Sequence, residues 1–320
     1  MSLHPDLEAF LELVELGRLS GKSQAFQDVG AERARRDFEA ASLSLDSPVA
    51  AGLEVERLSY ASRDGHELAA RLYRRSGSPR PASVLLYLHG GGYVVGSLDS
   101  HDALCRRLAL AGRCAVLAVD YRLAPAWRFP TALEDVEDAL VWLREQGPAL
   151  GLVPARVAFG GDSVGASLAL ALALQAAAAP ETAALQPRAL LLAYPVADAS
   201  RQRPSHQRYA AGYLLESATL EWFYDSYARS PQDRLDWRFS PLLAPSLAGL
   251  PPTYLALAGH DPLYDEGLAL AERLGEAGND LTLDLRPGLT HDFMRMHGLV
   301  GEVAAIHATQ AAWLDRWLAG

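Results

Sequence analysis

Residues 158–165 read Ala-Phe-Gly-Gly-Asp-Ser-Val-Gly, and the serine is the residue whose placement asks for a chemical reason. Gly161-Asp162-Ser163-Val164-Gly165 fits the pattern Gly-x-Ser-x-Gly. It follows a short apolar run read as a strand (156–160). It opens an Ala/Leu-rich run read as a helix (164–179). At such a corner the serine hydroxyl projects outward, and glycines on either side let strand and helix approach closely. The helix N-terminus adds free N–H groups and the positive end of its dipole. A plain helix N-cap serine among turn glycines is the competing reading of this stretch alone.

A serine hydroxyl is a weak nucleophile at neutral pH. It needs a base, and the base needs an acid to orient it. If each follows a strand, in the order serine, acid, histidine, the candidates are few. Asp261 in "AGHDPLYDEG" follows the apolar run 253–259. His291 in "GLTHDF" follows the run 281–287. Among nine histidines, only His291 and His297 come after the last strand and before the body of the last helix, and His297 sits at that helix's start. His260 abuts the acid and reads as a supporting or structural residue, and His89 as a maker of local hydrogen bonds. For the acid, Asp265 reads as a first-turn helix residue. Asp292, next to His291, would point away from its neighbour's ring. A second glycine cluster, "YLHGGGYVVGS" (87–97), follows another buried run. Bare backbone N–H groups at such a turn can hold a developing oxyanion. Its spacing fits neither the dinucleotide fingerprint nor the phosphate-loop pattern.

These residues need elements to carry them. "PDLEAFLELVEL" (5–16) places Leu7, Phe10, Leu11 and Val14 on one helical face, and a second helical stretch spans 30–41. "SPVAAG" (47–52) reads as a linker. Runs 53–60 and 67–74 form a hairpin around Asp64-Gly65. Strands then alternate with helices: strand 83–89, helix 99–112, strand 114–120, helix 131–146, the strand and helix around Ser163, strand 188–194, strand 253–259, helix 263–277, strand 281–287 and a last helix near 299–318. That alternation predicts a mostly parallel sheet covered on both faces, with ligands at the strand C-termini. Segment 196–250 breaks it. An aromatic-rich helix (217–228) between Pro- and Arg-rich loops is placed to cover a site.

The chain has 320 residues and a net charge of −10, which argues against non-specific nucleic-acid binding, because a phosphate-binding surface needs clustered Lys and Arg. No apolar run is long enough to span a bilayer, and the first residues lack a secretory pattern. Cys105 and Cys114 are expected to be reduced, buried thiols, as in a cytoplasmic protein. No His/Cys/Asp cluster has metal-ligand spacing, so neither metal nor cofactor is expected.

Taken together, "HGGGY" (89–93), "DYRLAP" (120–125), "GGDSVG" (160–165), "DPLYDEG" (261–267) and "HDF" (291–293) resemble the hormone-sensitive-lipase-like α/β-hydrolases, the bacterial family IV esterases. The resemblance covers about residues 50–320. It implies an α/β-hydrolase fold with an eight-stranded, mostly parallel sheet, helices on both faces and a helical cap. The core would be 51–195 and 241–320, and the cap 1–50 and 196–240. It implies Ser163 as nucleophile, His291 as base and then acid, Asp261 as orienter, and the N–H groups of Gly91, Gly92 and Val164 as oxyanion hole. Tyr93, Tyr194, Tyr213 and Trp222 are candidates for the substrate pocket. The implied activity is hydrolysis of short- to medium-chain acyl esters through an acyl-enzyme. Amidase, lactonase or deacetylase action on the same machinery is the alternative, and a non-catalytic receptor would be expected to lack a triad member. A small-molecule ester is the expected partner, with no nucleic acid and no membrane. A homodimer through the sheet edge near the last strand is also implied. The chain departs from the family pattern at Val164 (usually Ala), Ala166 (often Gly), Ala126 (usually an acid) and Asp292 (usually Gly). Val164 is expected to narrow the acyl pocket, and Asp292 to raise the pKa of His291.

Overall fold

The computed structural model describes residues 2–45 and 51–319, so most of the linker expected at 47–52 lies outside the described residues. Eight strands form one sheet: β1 (Leu53–Ala61), β2 (Glu67–Arg75), β3 (Ala82–Leu88), β4 (Ala115–Val119), β5 (Leu152–Asp162), β6 (Ala189–Ala193), β7 (Thr253–His260) and β8 (Leu281–Thr290). Their order is β1-β2-β4-β3-β5-β6-β7-β8. β2 runs antiparallel to β1 and β4, and every other pair is parallel. The helices are α1 (Pro5–Leu19), α2 (Phe26–Val29), α3 (Ala31–Leu45), α4 (Asp102–Ala111), α5 (Thr131–Gln146), α6 (Val164–Ala178), α7 (Pro204–Arg208), α8 (Ser217–Tyr227), α9 (Tyr264–Glu276) and α10 (Glu302–Leu318).

The central strands read as near-continuous apolar runs because both faces are covered. In β3, Val84, Leu86 and Leu88 enter the apolar layer shared with α5, α6 and α9. Leu85 and Tyr87 face the opposite layer, with α4 and α10. The period of two decides the side, and the helical stripes fill both.

Two strands outrun their expected ends. β5 begins at Leu152 despite Pro154, because the register with β3 slips between Ala82 and Val84 and the irregularity absorbs the proline. β8 continues through Pro287 to Thr290. It is the last strand of the sheet, where a missing N–H costs no ladder bond on the open side.

The N-terminal helices and segment 196–240 are joined to each other. Arg18 pairs with Glu216, Thr219 Oγ1 donates to Gln27 Oε1 at 2.9 Å, and the Phe26 and Phe223 rings lie 6.4 Å apart. Of the face expected on α1, Leu7 is fully buried, while Phe10, Leu11 and Val14 are half-buried.

Candidate active site

Ser163 stands between β5 and α6 with φ 52° and ψ −126°. A non-glycine residue held at such a φ is strained, and the surroundings must enforce it. Here they do so through close packing. A Cβ on Gly161 would meet the Leu88 carbonyl oxygen at 2.4 Å, and one on Gly165 would meet the same oxygen at 2.0 Å. Only glycines let α6 start so near β3. Ser163 N–H donates to Ala193 O at 2.9 Å, pinning the corner to β6. Ala166, where a third glycine is frequent, is fully buried and its methyl is accommodated in the apolar layer.

Asp261 leaves the end of β7 and His291 the end of β8, so both reach the sheet edge that carries Ser163. His291 Nε2 lies 3.0 Å from Ser163 Oγ, and His291 Nδ1 lies 2.7 Å from Asp261 Oδ2. Asp261 Oδ1 accepts from Leu263 N–H at 2.9 Å, which fixes the carboxylate plane. Burial opposes protonation of His291, but the Asp261 charge and hydrogen bond outweigh it, with Asp292 and Asp162 adding to them. The net result is a raised pKa.

The glycine loop lies against this group. Gly91 has φ 117° and Gly92 φ 61°, and the Gly91 carbonyl accepts from Val94 and Val95. Among the described residues, the N–H groups of Gly91, Gly92 and Val164 donate to no protein acceptor. They are free to receive a charge. The loop is anchored on two sides. From α3, Arg35 donates to Val94 O and Ala124 O, both at 2.8 Å. From below, the wholly buried Asp162 accepts from Gly90 N–H at 3.2 Å and Tyr87 Oη at 2.8 Å, and lies 3.3 Å from His101 Nε2. Burial pushes the Asp162 carboxyl up, but His101, Arg295 and Tyr87 more than reverse this and hold it at about 2. Asp162, His101 and Arg35 have no place among the site residues expected from the motifs. The x position of Gly-x-Ser-x-Gly carried an acid, and that was the available signal.

The other candidates fall as follows. The Tyr194 ring lies tilted against that of His291, with ring centres 4.6 Å apart. Tyr93 is buried against Tyr227 at 3.8 Å. Tyr213 stacks on His260 at 5.6 Å, and Trp222 is half-buried beside Phe223 at 5.3 Å. Phe223 packs directly against Gly92, with the Phe26 ring 6.4 Å from it and the Phe38 ring 6.3 Å beyond Phe26. His89 stacks on Tyr121, contacts Gly90 O at 2.7 Å and is held neutral by burial, with its pKa at about 3. His297 stacks with His307, away from Ser163. Val164 is fully buried in the layer shared with Tyr93 and Phe223. Ala126 lines a cavity of about 500 Å³ with Asp120, Arg122 and Trp127. Arg122 is held there by Asp135 and Asp64, at 2.6 and 2.7 Å. Asp292 has a left-handed backbone, φ 73°, which explains the usual glycine. Its carboxylate is not free. It is paired with buried Arg295, which also lies over the Phe38 ring and bonds Ser42. Among the described residues, no group of three His, Cys, Asp or Glu side chains is placed to hold a metal ion. No described helix is long and apolar enough to cross a membrane.

Residues 85–295 match a family model described as the alpha/beta hydrolase fold. The chain belongs to the α/β-hydrolase family, in its hormone-sensitive-lipase-like branch. It is 52% identical over 304 residues to an ethyl acetate hydrolase of Pseudomonas putida, covering 94% of this chain and 95% of that one. Among solved structures, an ester hydrolase from the Lake Arreo metagenome, in complex with a bipyridine phosphonate derivative, superimposes with a TM-score of 0.92 at 34% identity, covering 98% of both chains. A thermostable esterase from Pseudomonas putida superimposes with a TM-score of 0.91 at 31% identity, covering 99% of this chain and 98% of that one. This α/β-hydrolase is a carboxylic ester hydrolase.

Proposed function

We propose that this α/β-hydrolase cleaves esters of short- to medium-chain carboxylic acids, with Ser163 as nucleophile, His291 as general base and then acid, and Asp261 as orienter. The observation that carries these roles is the unbroken contact from Asp261 through His291 to Ser163 Oγ, at 2.7 and 3.0 Å. Asp261 accepts a hydrogen bond from Nδ1–H, so Nε2 presents a lone pair to the hydroxyl. Attack on the ester carbonyl moves the hydroxyl proton to Nε2. The N–H groups of Gly91, Gly92 and Val164 receive the oxyanion. His291 returns the proton to the departing alcohol, and water then releases the acid by the same route.

The cap is proposed to be 1–50 and 196–240, set over a core of 51–195 and 241–320. Its joining contacts at Arg18–Glu216 and Gln27–Thr219 support that division. Small esters are favoured by the relative from Pseudomonas putida named for ethyl acetate. The exposed Leu283 and Leu285 on β8 support a homodimer through that strand. The buried free thiols Cys105 and Cys114 fit a cytoplasmic location.

The test is a fluorophosphonate label and a p-nitrophenyl ester series on wild type and Ser163→Ala. Wild type labels and turns over acetate to butyrate esters best, and Ser163→Ala loses the label and roughly 10⁴-fold or more of the rate. A variant that still turns over esters at the wild-type rate overturns the assignment.

A further inference from the structure

Behind Asp261 lies a buried polar cluster that the reaction does not use. The loop from Asp261 runs into the first turn of α9, which holds Asp265 and Glu266. The short helix α7 sits on this loop. Ser205 N–H donates to Asp265 Oδ2 at 2.8 Å, and Ser205 Oγ donates to Pro262 O at 2.5 Å. Asp265 is therefore a clamp for α7 as well as a first-turn acid.

Glu266 is the more unusual group, because it has no exposure at all. Its Oε1 accepts from Ala197 N–H at 2.7 Å and from Asp198 N–H at 3.3 Å, where the chain leaves β6. Its Oε2 has no hydrogen-bond partner. The groups facing it come from four elements. His206 Nε2 of α7 lies 3.5 Å from Oε2. The Tyr224 hydroxyl of α8 is likewise buried without a partner. Asp198 is wholly buried and held by Arg201 at 2.9 Å and Arg203 at 3.2 Å. Asp261 is the fourth. An ionised Glu266 would place a third carboxylate charge among Asp198 and Asp261 with no cation of its own. Burial, followed by those two charges, pushes its carboxyl up to about 8 against the pull of the two amides.

Resting on the roles proposed for Asp261 and His291, we propose that Glu266 is a positioning residue. As a neutral carboxylic acid it ties the start of the 196–240 segment and α7 to the loop that carries Asp261. Its Oε1 supplies the acceptor for two amides, and its proton keeps Asp261 free of a competing charge. When it ionises, repulsion from Asp198 and Asp261 loosens this anchor. Asp261 then no longer holds the His291 ring at its working angle.

The experiment compares wild type, Glu266→Gln and Glu266→Ala for kcat and KM from pH 6 to 9.5, and for melting temperature from pH 5 to 9. Glutamine keeps both the neutrality and the acceptor for the two amides, whereas alanine keeps the neutrality and loses the acceptor. Glu266→Ala lowers kcat at least tenfold with KM little changed, and Glu266→Gln restores most of it at pH 7. Wild-type kcat falls on the alkaline side with a midpoint near 8, and Glu266→Gln removes that fall. A carboxyl protonated in the fold but ionised when unfolded loses stability as pH rises toward its folded pKa. The wild-type melting temperature should therefore drop between pH 5 and 8, and that of Glu266→Gln much less. Parallel melting curves overturn the neutral acid. So does a Glu266→Gln enzyme as impaired at pH 7 as Glu266→Ala, which would make an ionised pair with His206 the working form. A Glu266→Ala kcat equal to wild type overturns the positioning role. If alanine fails to fold, the glutamine profiles still decide. Absence of any ester turnover in wild type counts against the esterase reading alone, because the melting curves report on Glu266 independently.

Discussion

A methyl group on Gly92 tests whether the cap segment sets the geometry of the glycine loop. Gly92 has φ 61°, where an alanine costs roughly 1–2 kcal/mol. Its new Cβ would meet three atoms of the Phe223 ring at 2.1, 2.2 and 2.6 Å. Ordinary contact needs more than an ångström of additional separation. Phe223 is held by Trp222 and Phe26, with ring centres at 5.3 and 6.4 Å, so it has little room to retreat. Overpacking of this kind costs roughly 1–3 kcal/mol. Part of the strain passes into the loop. A displacement near 1 Å lowers the rate about 10²-fold, comparable with losing one oxyanion donor. Gly92→Ala should therefore lose about 10²-fold in kcat with p-nitrophenyl acetate while keeping its circular dichroism spectrum. In a Phe223→Ala background the clash is gone and only the backbone strain remains. The same methyl should then cost at least tenfold less, a coupling of about 1.4 kcal/mol or more. An equal loss in both backgrounds would show that Phe223 does not govern the loop.

Three further outcomes follow from the buried charges. With His291 as the proposed base, its raised pKa means that kcat/KM falls as pH drops through a midpoint above the ordinary imidazole value, because the protonated ring cannot take up the hydroxyl proton. Asp292→Gly should move that limb to lower pH by less than one unit, since Arg295 neutralises most of the Asp292 charge. It should also destabilise by roughly 2 kcal/mol: about 3 from orphaning buried Arg295, less about 1 from relaxing the left-handed backbone. A limb that does not move at all would remove Asp292 from the account of His291. For Asp162, whose pKa is held down at about 2, the stability it contributes is present above the ordinary carboxylate pKa and lost as pH falls through about 2. Asp162→Asn should lower the urea midpoint at pH 7, and the gap should narrow at pH 2.5. A gap independent of pH would mean that the Asp162 charge is not what the fold uses.

What the sequence made legible has a common physical origin. Gly161 and Gly165 are written in the chain because a Cβ at either meets the Leu88 carbonyl, and that demand is met by a residue type at a fixed spacing. The order Ser163, Asp261, His291 is visible because each follows a strand, and parallel strands deliver their ends to one edge. The buried charge partners leave no such mark. Tyr87 reaches Asp162 across two strands of the sheet, Arg295 reaches Ser42 in an N-terminal helix, and Glu266 reaches Ala197 in the loop after β6. Apart from the acid inside Gly-x-Ser-x-Gly, nothing local distinguishes these polar residues from solvated ones. Only the fold shows that they are enclosed. Asp292 illustrates the difference. Beside His291 it read as an added negative charge, a view built on adjacency alone. Its left-handed backbone turns the carboxylate onto Arg295, so the same residue both replaces the usual glycine and neutralises a guanidinium under Phe38. A charge next to a histidine in sequence therefore acts on it only after its own counter-ion has been subtracted, and that counter-ion is a property of packing.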